Sequence, residues 1–175
     1  MLFRSSTWDV RNVTNMKRMF WNSTFNGNLK RWNTKNVENM GGMFCSSNFD
    51  QDISKWDVSK VTNMTGMFQG SEFNQDISKW DVSKVEDMSH MFENSKFNLD
   101  ISRWDVSNVI DMNGMFMNAD SNMPIEKLSA WNPVNVEDIR GFYNVAIKNR
   151  VSFIKNVWQY KIESPESCMG LSNYI

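Results

Sequence analysis

DISKWDVSK stands at residues 52–60 and again, letter for letter, at residues 76–84, with a near copy, DISRWDVSN, at residues 100–108. The tryptophan of each copy belongs to a longer series, Trp8, Trp32, Trp56, Trp80 and Trp104, in which every step is 24 residues. Other columns keep that period. Val13, Val37, Val61, Val85 and Val109 align, as do Met16, Met40, Met64, Met88 and Met112, then Met19, Met43, Met67, Met91 and Met115, and then Phe20, Phe44, Phe68, Phe92 and Phe116. Late in the unit come Phe25, Phe49, Phe73 and Phe97, followed by Leu29, Ile53, Ile77 and Ile101. A sixth unit starts at Trp131, displaced by three residues, with Val136, Ile139, Phe142 and Tyr143 in the equivalent places.

A period of this size marks a chain wound into coils, each covering the next because no single unit can bury its own apolar face. Identical coils need the same residue at each inward position, while outward positions drift, as Lys60, Lys84 and Asn108 do. Val61, Met64, Met67 and Phe68 have the spacing of one helical face, and Ser83 followed by Glu86 resembles a capping box. A helix of about two turns is too short to be stable alone and would depend on its neighbours. Trp80 and Val82 are two apart, as in a strand, with a bulge or turn expected between Ile77 and Trp80.

Stacked strands lie about 4.8 Å apart and packed helices about 8 to 10 Å, so strand-helix coils would bend. The expected fold is an α/β repeat solenoid of about five and a half coils, a right-handed arc with a parallel sheet on its concave face. Its repeats would span residues 1–143. Ile147, Val151, Ile154 and Trp158 have helical spacing, so residues 144–175 are expected to form a C-terminal helical cap and tail.

Composition narrows the function. Of the 175 residues 41% are hydrophobic and 22% charged, with a net charge of -1, which favours a folded domain and gives no basis for a nucleic-acid partner. Two cysteines, Cys45 and Cys168, build neither a disulfide framework nor a metal-ligand spacing. The opening residues, MLFRSSTWDV, lack the apolar run of an export signal, and no stretch is long and apolar enough for a membrane span. An intracellular or virion location is therefore expected over secretion.

The unit carried by DISKWDVSKVTNMTGMF, residues 52–68, and by the units at Trp80 and Trp104 resembles the BspA-like leucine-rich repeats, in their mycoplasma-type lipoprotein form. That repeat reads F-N-x-D-I-S-x-W-D-V-S-x-V-x-x-M-x-x-M-F. The match weakens at Trp8 and Trp32, where WDVRNV and WNTKNV lack the serine. The resemblance implies a leucine-rich-repeat-like solenoid without known catalysis, of a kind found on bacterial and protozoan surfaces and in large DNA viruses.

No catalytic, cofactor-binding or metal-binding residues are expected. The one histidine, His90, shares its column with Arg18, Gly42, Gly66 and Gly114 and reads as an exposed helix residue. The aspartate ladders Asp52, Asp76, Asp100 and Asp57, Asp81, Asp105 read as turn hydrogen bonds interleaved with the basic column Arg31, Lys55, Lys79 and Arg103. The tryptophan and methionine columns read as core, and Asn26, Asp50, Asn74 and Asn98 as turn residues tying coil to coil. Contact with other proteins is expected at Leu2 and Phe3 on an uncovered N-terminal edge, through which copies could associate. It is also expected at Trp21, and along Arg31, Lys55, Lys79 and Arg103. These features suggest a non-enzymatic scaffold within a larger assembly, such as a minor capsid protein of a giant virus, in contact with capsid or assembly subunits. The alternative is a binding or adhesion module of a bacterial-type surface protein.

Overall fold

The computed structural model describes residues 8–143. Within them the copies lie over one another. Parallel bridges join Asn15 to Asn39, Asn39 to Asn63, Asn63 to Asp87, Asp87 to Asp111 and Asp111 to Asp138. The last step is three residues longer than the others, matching the displacement of Trp131. The longer coil holds a short 3-10 helix, Ile125–Ala130, which buries Ile125 and Leu128.

The inward columns form continuous seams. Phe44, Phe68, Phe92 and Phe116 are fully buried, with ring centroids 5.8 Å apart from Phe44 to Phe68 and from Phe68 to Phe92. Beside them runs the Phe49, Phe73, Phe97 column at 6.3 and 6.4 Å, close enough for Phe44 to meet Phe49 at 4.1 Å. Full burial of one such ring contributes roughly 2 to 3 kcal/mol, so the stack is held mainly by these seams. Both methionine columns are buried in the same core from Met40 to Met115.

The coils are not built from strands and helices, and the expected α/β solenoid is corrected here. Among the described residues the only helix is the 3-10 turn at Ile125–Ala130, and parallel pairing is confined to isolated bridges, with no sheet. Where a helix was expected along residues 61–68, the chain makes overlapping turns: Met67 N–H donates to Met64 O, Gln69 to Gly66 O and Ser71 to Phe68 O. Gly66 and Gly70 sit at the third position of two of these turns with φ +56° and +61°, which a helix forbids and a type II turn requires. The same two columns have positive φ in each of the other 24-residue coils, at Arg18 and Asn22, Gly42 and Ser46, His90 and Asn94, and Gly114 and Asn118, and Gly141 continues the first column. Ser83, the expected helix cap, donates instead to Asp81 Oδ1 at 2.6 Å.

That alternation orients the backbone. The N–H groups of Met40, Gly42, Phe44 and Ser46 all donate to the next coil, to the carbonyls of Asn63, Thr65, Met67 and Gln69, at 2.7 to 2.9 Å. The intervening N–H groups stay inside their own coil, Gly41 on Asn39 Oδ1, Met43 on Met40 O and Cys45 on Gly42 O. Along this segment each coil therefore shows carbonyls to the coil before it and N–H groups to the coil after it.

The expected strand is likewise a pair of turns, Trp80 N–H on Ile77 O and Val85 N–H on Val82 O, and the turn expected between Ile77 and Trp80 is present. With no strands and helices of unequal thickness, the packing argument for an arc with a concave parallel sheet loses its basis. The expected C-terminal cap at 144–175 lies outside the described residues, as do Leu2 and Phe3.

Candidate functional site

The positive-φ turns face outward and carry the most sharply shaped feature of the surface. Gly42 and Gly66 follow one another in the column that holds Arg18 before them and His90 after them. Two successive residues without side chains leave a gap, the floor of a groove of 410 Å³. The flanking side chains fold over the glycines that follow them. A Cβ at Gly42 would lie 3.2 Å from Arg18 Cγ, and one at Gly114 only 2.6 Å from His90 Nδ1.

One wall of the groove is the column Trp21, Cys45, Gln69, which continues to Glu93 through a string of hydrogen bonds. Cys45 Sγ donates to Gln69 Oε1 at 3.6 Å, Gln69 Nε2 to Glu93 Oε2 at 2.6 Å, and His90 Nδ1 meets the same Glu93 oxygen at 2.8 Å. The other wall is Asn63, Thr65 and Asp87, where Asn63 Nδ2 donates to Asp87 Oδ2 at 3.3 Å and Thr65 Oγ1 is buried without a partner among the described residues. Asp87 also accepts from the backbone and hydroxyl of Ser89.

The carboxylates at the His90 end are thus occupied by hydrogen bonds. At the Trp21 end Lys17 and Arg18 make no ion pair among the described residues. Trp21 is 56% exposed, the most exposed large hydrophobic side chain among the described residues. An exposed indole beside two uncommitted cations suits contact with an anionic or aromatic side chain of another protein.

His90 is not the exposed helix residue expected. Its side chain is 37% exposed, its backbone sits at φ 56°, and it pairs with a Glu93 side chain that is only 12% exposed. A histidine beside a carboxylate invites a catalytic reading. Among the described residues no hydroxyl or thiol is hydrogen-bonded to His90, however, and Cys45 reaches Gln69 instead. The constellation lacks an activated nucleophile.

The other candidate residues lie apart from this groove. Arg31, Lys55, Lys79 and Arg103 are all exposed, and none makes an ion pair among the described residues. The lysines that pair with the first aspartate ladder are Lys30, with Asp52, and Lys127, with Asp100 at 2.7 Å. Lys127 holds Asp100 down at about 2, whereas Asp57, Asp76 and Asp105 are lowered chiefly by the hydroxyls of Ser59, Ser78 and Ser107. Arg103 lines a shallow recess with Asp76, Ser78, Leu99 and Asp100. Turn hydroxyls therefore lead at Asp57, Asp76 and Asp105, whereas lysines drawn from a different column lead at Asp52 and Asp100.

From Trp32 to Trp131 the tryptophan column is core, as its spacing suggested, while Trp8 is exposed. Trp56 Nε1 donates to Leu29 O at 3.1 Å, Trp80 to Ile53 O at 3.3 Å and Trp104 to Ile77 O at 3.1 Å, each reaching back one coil. The Asn/Asp column also ties coils together: Asp50 N–H donates to Asn26 Oδ1, Asn74 N–H to Asp50 Oδ1 and Asn98 N–H to Asn74 Oδ1. Sequence reasoning missed Lys17, Arg18, Gly42 and Gly66 as a site. The signal was present in the glycines, which are poor helix residues recurring where a helix interior was expected.

Among the described residues no helix is long and apolar enough to cross a membrane. A family model described as "Mycoplasma protein of unknown function, DUF285" matches residues 3–96 and, in an overlapping second copy, residues 70–169. No curated protein and no solved structure matches the chain.

Proposed function

The chain belongs to that Mycoplasma repeat family, and from this premise we propose that it is a non-enzymatic scaffold acting by contact with other proteins. The observation that carries the reading is where the apolar surface lies. Of the five large hydrophobic side chains exposed among the described residues, Trp8, Met19 and Trp21 all belong to the first coil. Their counterparts one coil later, Trp32 at 5% and Met43 at 0%, are buried. A surface of this kind on a folded unit suits a protein partner.

In our first version the chain is a structural part of a larger assembly, a giant-virus capsid being the setting that the BspA-like resemblance suggests. The groove beside Trp21 favours a second version, a binding or adhesion module of a surface protein, since a recess with uncommitted cations suits a mobile ligand. Native mass analysis of the purified chain, set beside its state in source material, tests the first. Recovery within particles supports it, and a stable monomer absent from any particle removes it. Trp21→Ala tests contact itself. Unchanged unfolding with weakened association supports contact, and loss of folding returns Trp21 to a structural role.

A further inference from the structure

The pair Asn-Gly occurs twice in the chain, at Asn26–Gly27 and at Asn113–Gly114, and the fold treats the two differently. An asparagine side-chain amide is open to attack by the backbone nitrogen of the next residue, and a glycine there has no side chain to obstruct the approach. That nitrogen must first give up its proton, so an N–H already donating to a carbonyl is protected. At Gly114 the protection exists: the residue is buried and its N–H donates to Arg140 O at 2.8 Å. The Asn113 amide is held as well, with Nδ2 on Asp138 Oδ2 at 3.4 Å.

Neither restraint holds in the first coil. Asn26 is exposed and Gly27 half-buried, and among the described residues the Gly27 N–H has no acceptor and Asn26 Nδ2 makes no hydrogen bond. The open N–H is a property of the coil and not of its place in the stack. Gln51, Gln75 and Leu99 hold the same position in the next three coils, each with a described coil on either side, and their N–H groups also lack an acceptor among the described residues. In those coils, however, a bulky side chain stands where Gly27 has none, and the amides of Asn74 and Asn98 are tied to Asn98 Oδ1 and Asp120 Oδ2. Asn26 alone combines an exposed amide, an uncommitted N–H after it and no side chain in the way.

We propose that Asn26–Gly27 is a site of spontaneous covalent modification, converting to aspartate and isoaspartate in the folded protein. The Gly27 nitrogen bonds to Asn26 Cγ, the bond from Cγ to Nδ2 breaks, and ammonia leaves with the proton that the Gly27 nitrogen has lost. Water then opens the resulting ring at either carbonyl, giving an aspartate in the ordinary chain or an isoaspartate whose chain runs through the side-chain carbons. The two products differ in consequence. Asn26 Oδ1 accepts from Asp50 N–H at 3.0 Å and from Gln51 Nε2 at 3.1 Å, which ties the first coil to the second. An aspartate keeps that acceptor, as Asp50 Oδ1 does for Asn74 N–H at 2.9 Å. An isoaspartate adds a carbon to the backbone and takes the acceptor out of register with Asp50.

The site is independent of the contact-scaffold reading. Its test is peptide mapping by mass spectrometry of the full chain after incubation at mildly alkaline pH, following the conversion of amide to acid at both pairs. Asn26 should convert about five- to tenfold faster than Asn113, the factor that one backbone hydrogen bond is worth. In a denaturant that unfolds the chain the two rates should converge, since neither N–H is then held by the fold. Gly27 is not at positive φ, so Gly27→Ala should slow conversion at Asn26 and leave the unfolding midpoint close to the parent's. Equal rates in the folded chain, or no product at Asn26, would overturn the proposal. So would a gap of the same size that persists after unfolding, because it would place the difference in the flanking sequence and not in the fold.

Discussion

Asp111 carries an ionised group where the first three coils carry amides, and its surroundings resist that charge. Burial raises its pKa first, and the neighbouring carboxylates of Asp87 and Asp138 push in the same direction against a hydrogen bond from Asn113 N–H. A folded-state pKa above the unfolded one means that ionised Asp111 costs stability at neutral pH and that the cost fades as pH falls through the raised value. Asp111→Asn should therefore stabilise the chain at pH 7 by about 0.5 kcal/mol, the size of one same-face pair, with no gain at about pH 3. Urea midpoints at the two pH values check this. The amide can keep the turn, because Asn63 Oδ1 accepts from Thr65 N–H in the same position. Gly66 is the other residue-scale case. At φ +56° an added Cβ enters the left-handed region, so Gly66→Ala should cost about 1 to 2 kcal/mol in chemical unfolding while leaving the core seams unchanged.

At the scale of the element, the deciding choice is where backbone N–H groups go. The run Val61, Met64, Met67, Phe68 is compatible with one helical face, and the turn column at Gly66 and Gly70 settles it otherwise. Turns tight enough to place Met64, Met67 and Phe68 all inward also aim every second N–H at the next coil. The apolar pattern was therefore legible and its backbone was not, since period alone does not distinguish a helix from a chain of turns that buries the same residues. The tryptophan element was legible in both respects. Trp56→Phe should cost about 0.5 to 1.5 kcal/mol, because Leu29 O keeps the Trp32 N–H and loses the indole, one of its two donors. A midpoint within error of the parent would show that water or another donor replaces the indole.

For the whole molecule, stability depends on position along the stack, since each coil is covered by its two neighbours. Met67, at 0% exposure, and Met19, at 41%, occupy the same column in different coils. Met67→Ala should cost about 2 to 5 kcal/mol and Met19→Ala less than about 0.5 kcal/mol, as read from denaturant unfolding of the isolated chain. Of the candidate contact residues, Trp21 was readable as the aromatic exception in its column. The groove beside it was not, because Lys17, Arg18, Gly42 and Gly66 come from three coils and meet only once those coils are superposed.

The repeat by itself determined that the coils stack in register and which side chains enter the core, because a 24-residue period with invariant Trp, Met and Phe columns has no other way to bury them all. It also determined the extra three residues before Trp131. Only the tertiary structure decided that the coils are chains of turns, and hence that every second N–H along the turn segment is aimed at the next coil. The direction of a backbone hydrogen bond is set by φ and by what lies across the gap, and neither is written in the apolar pattern.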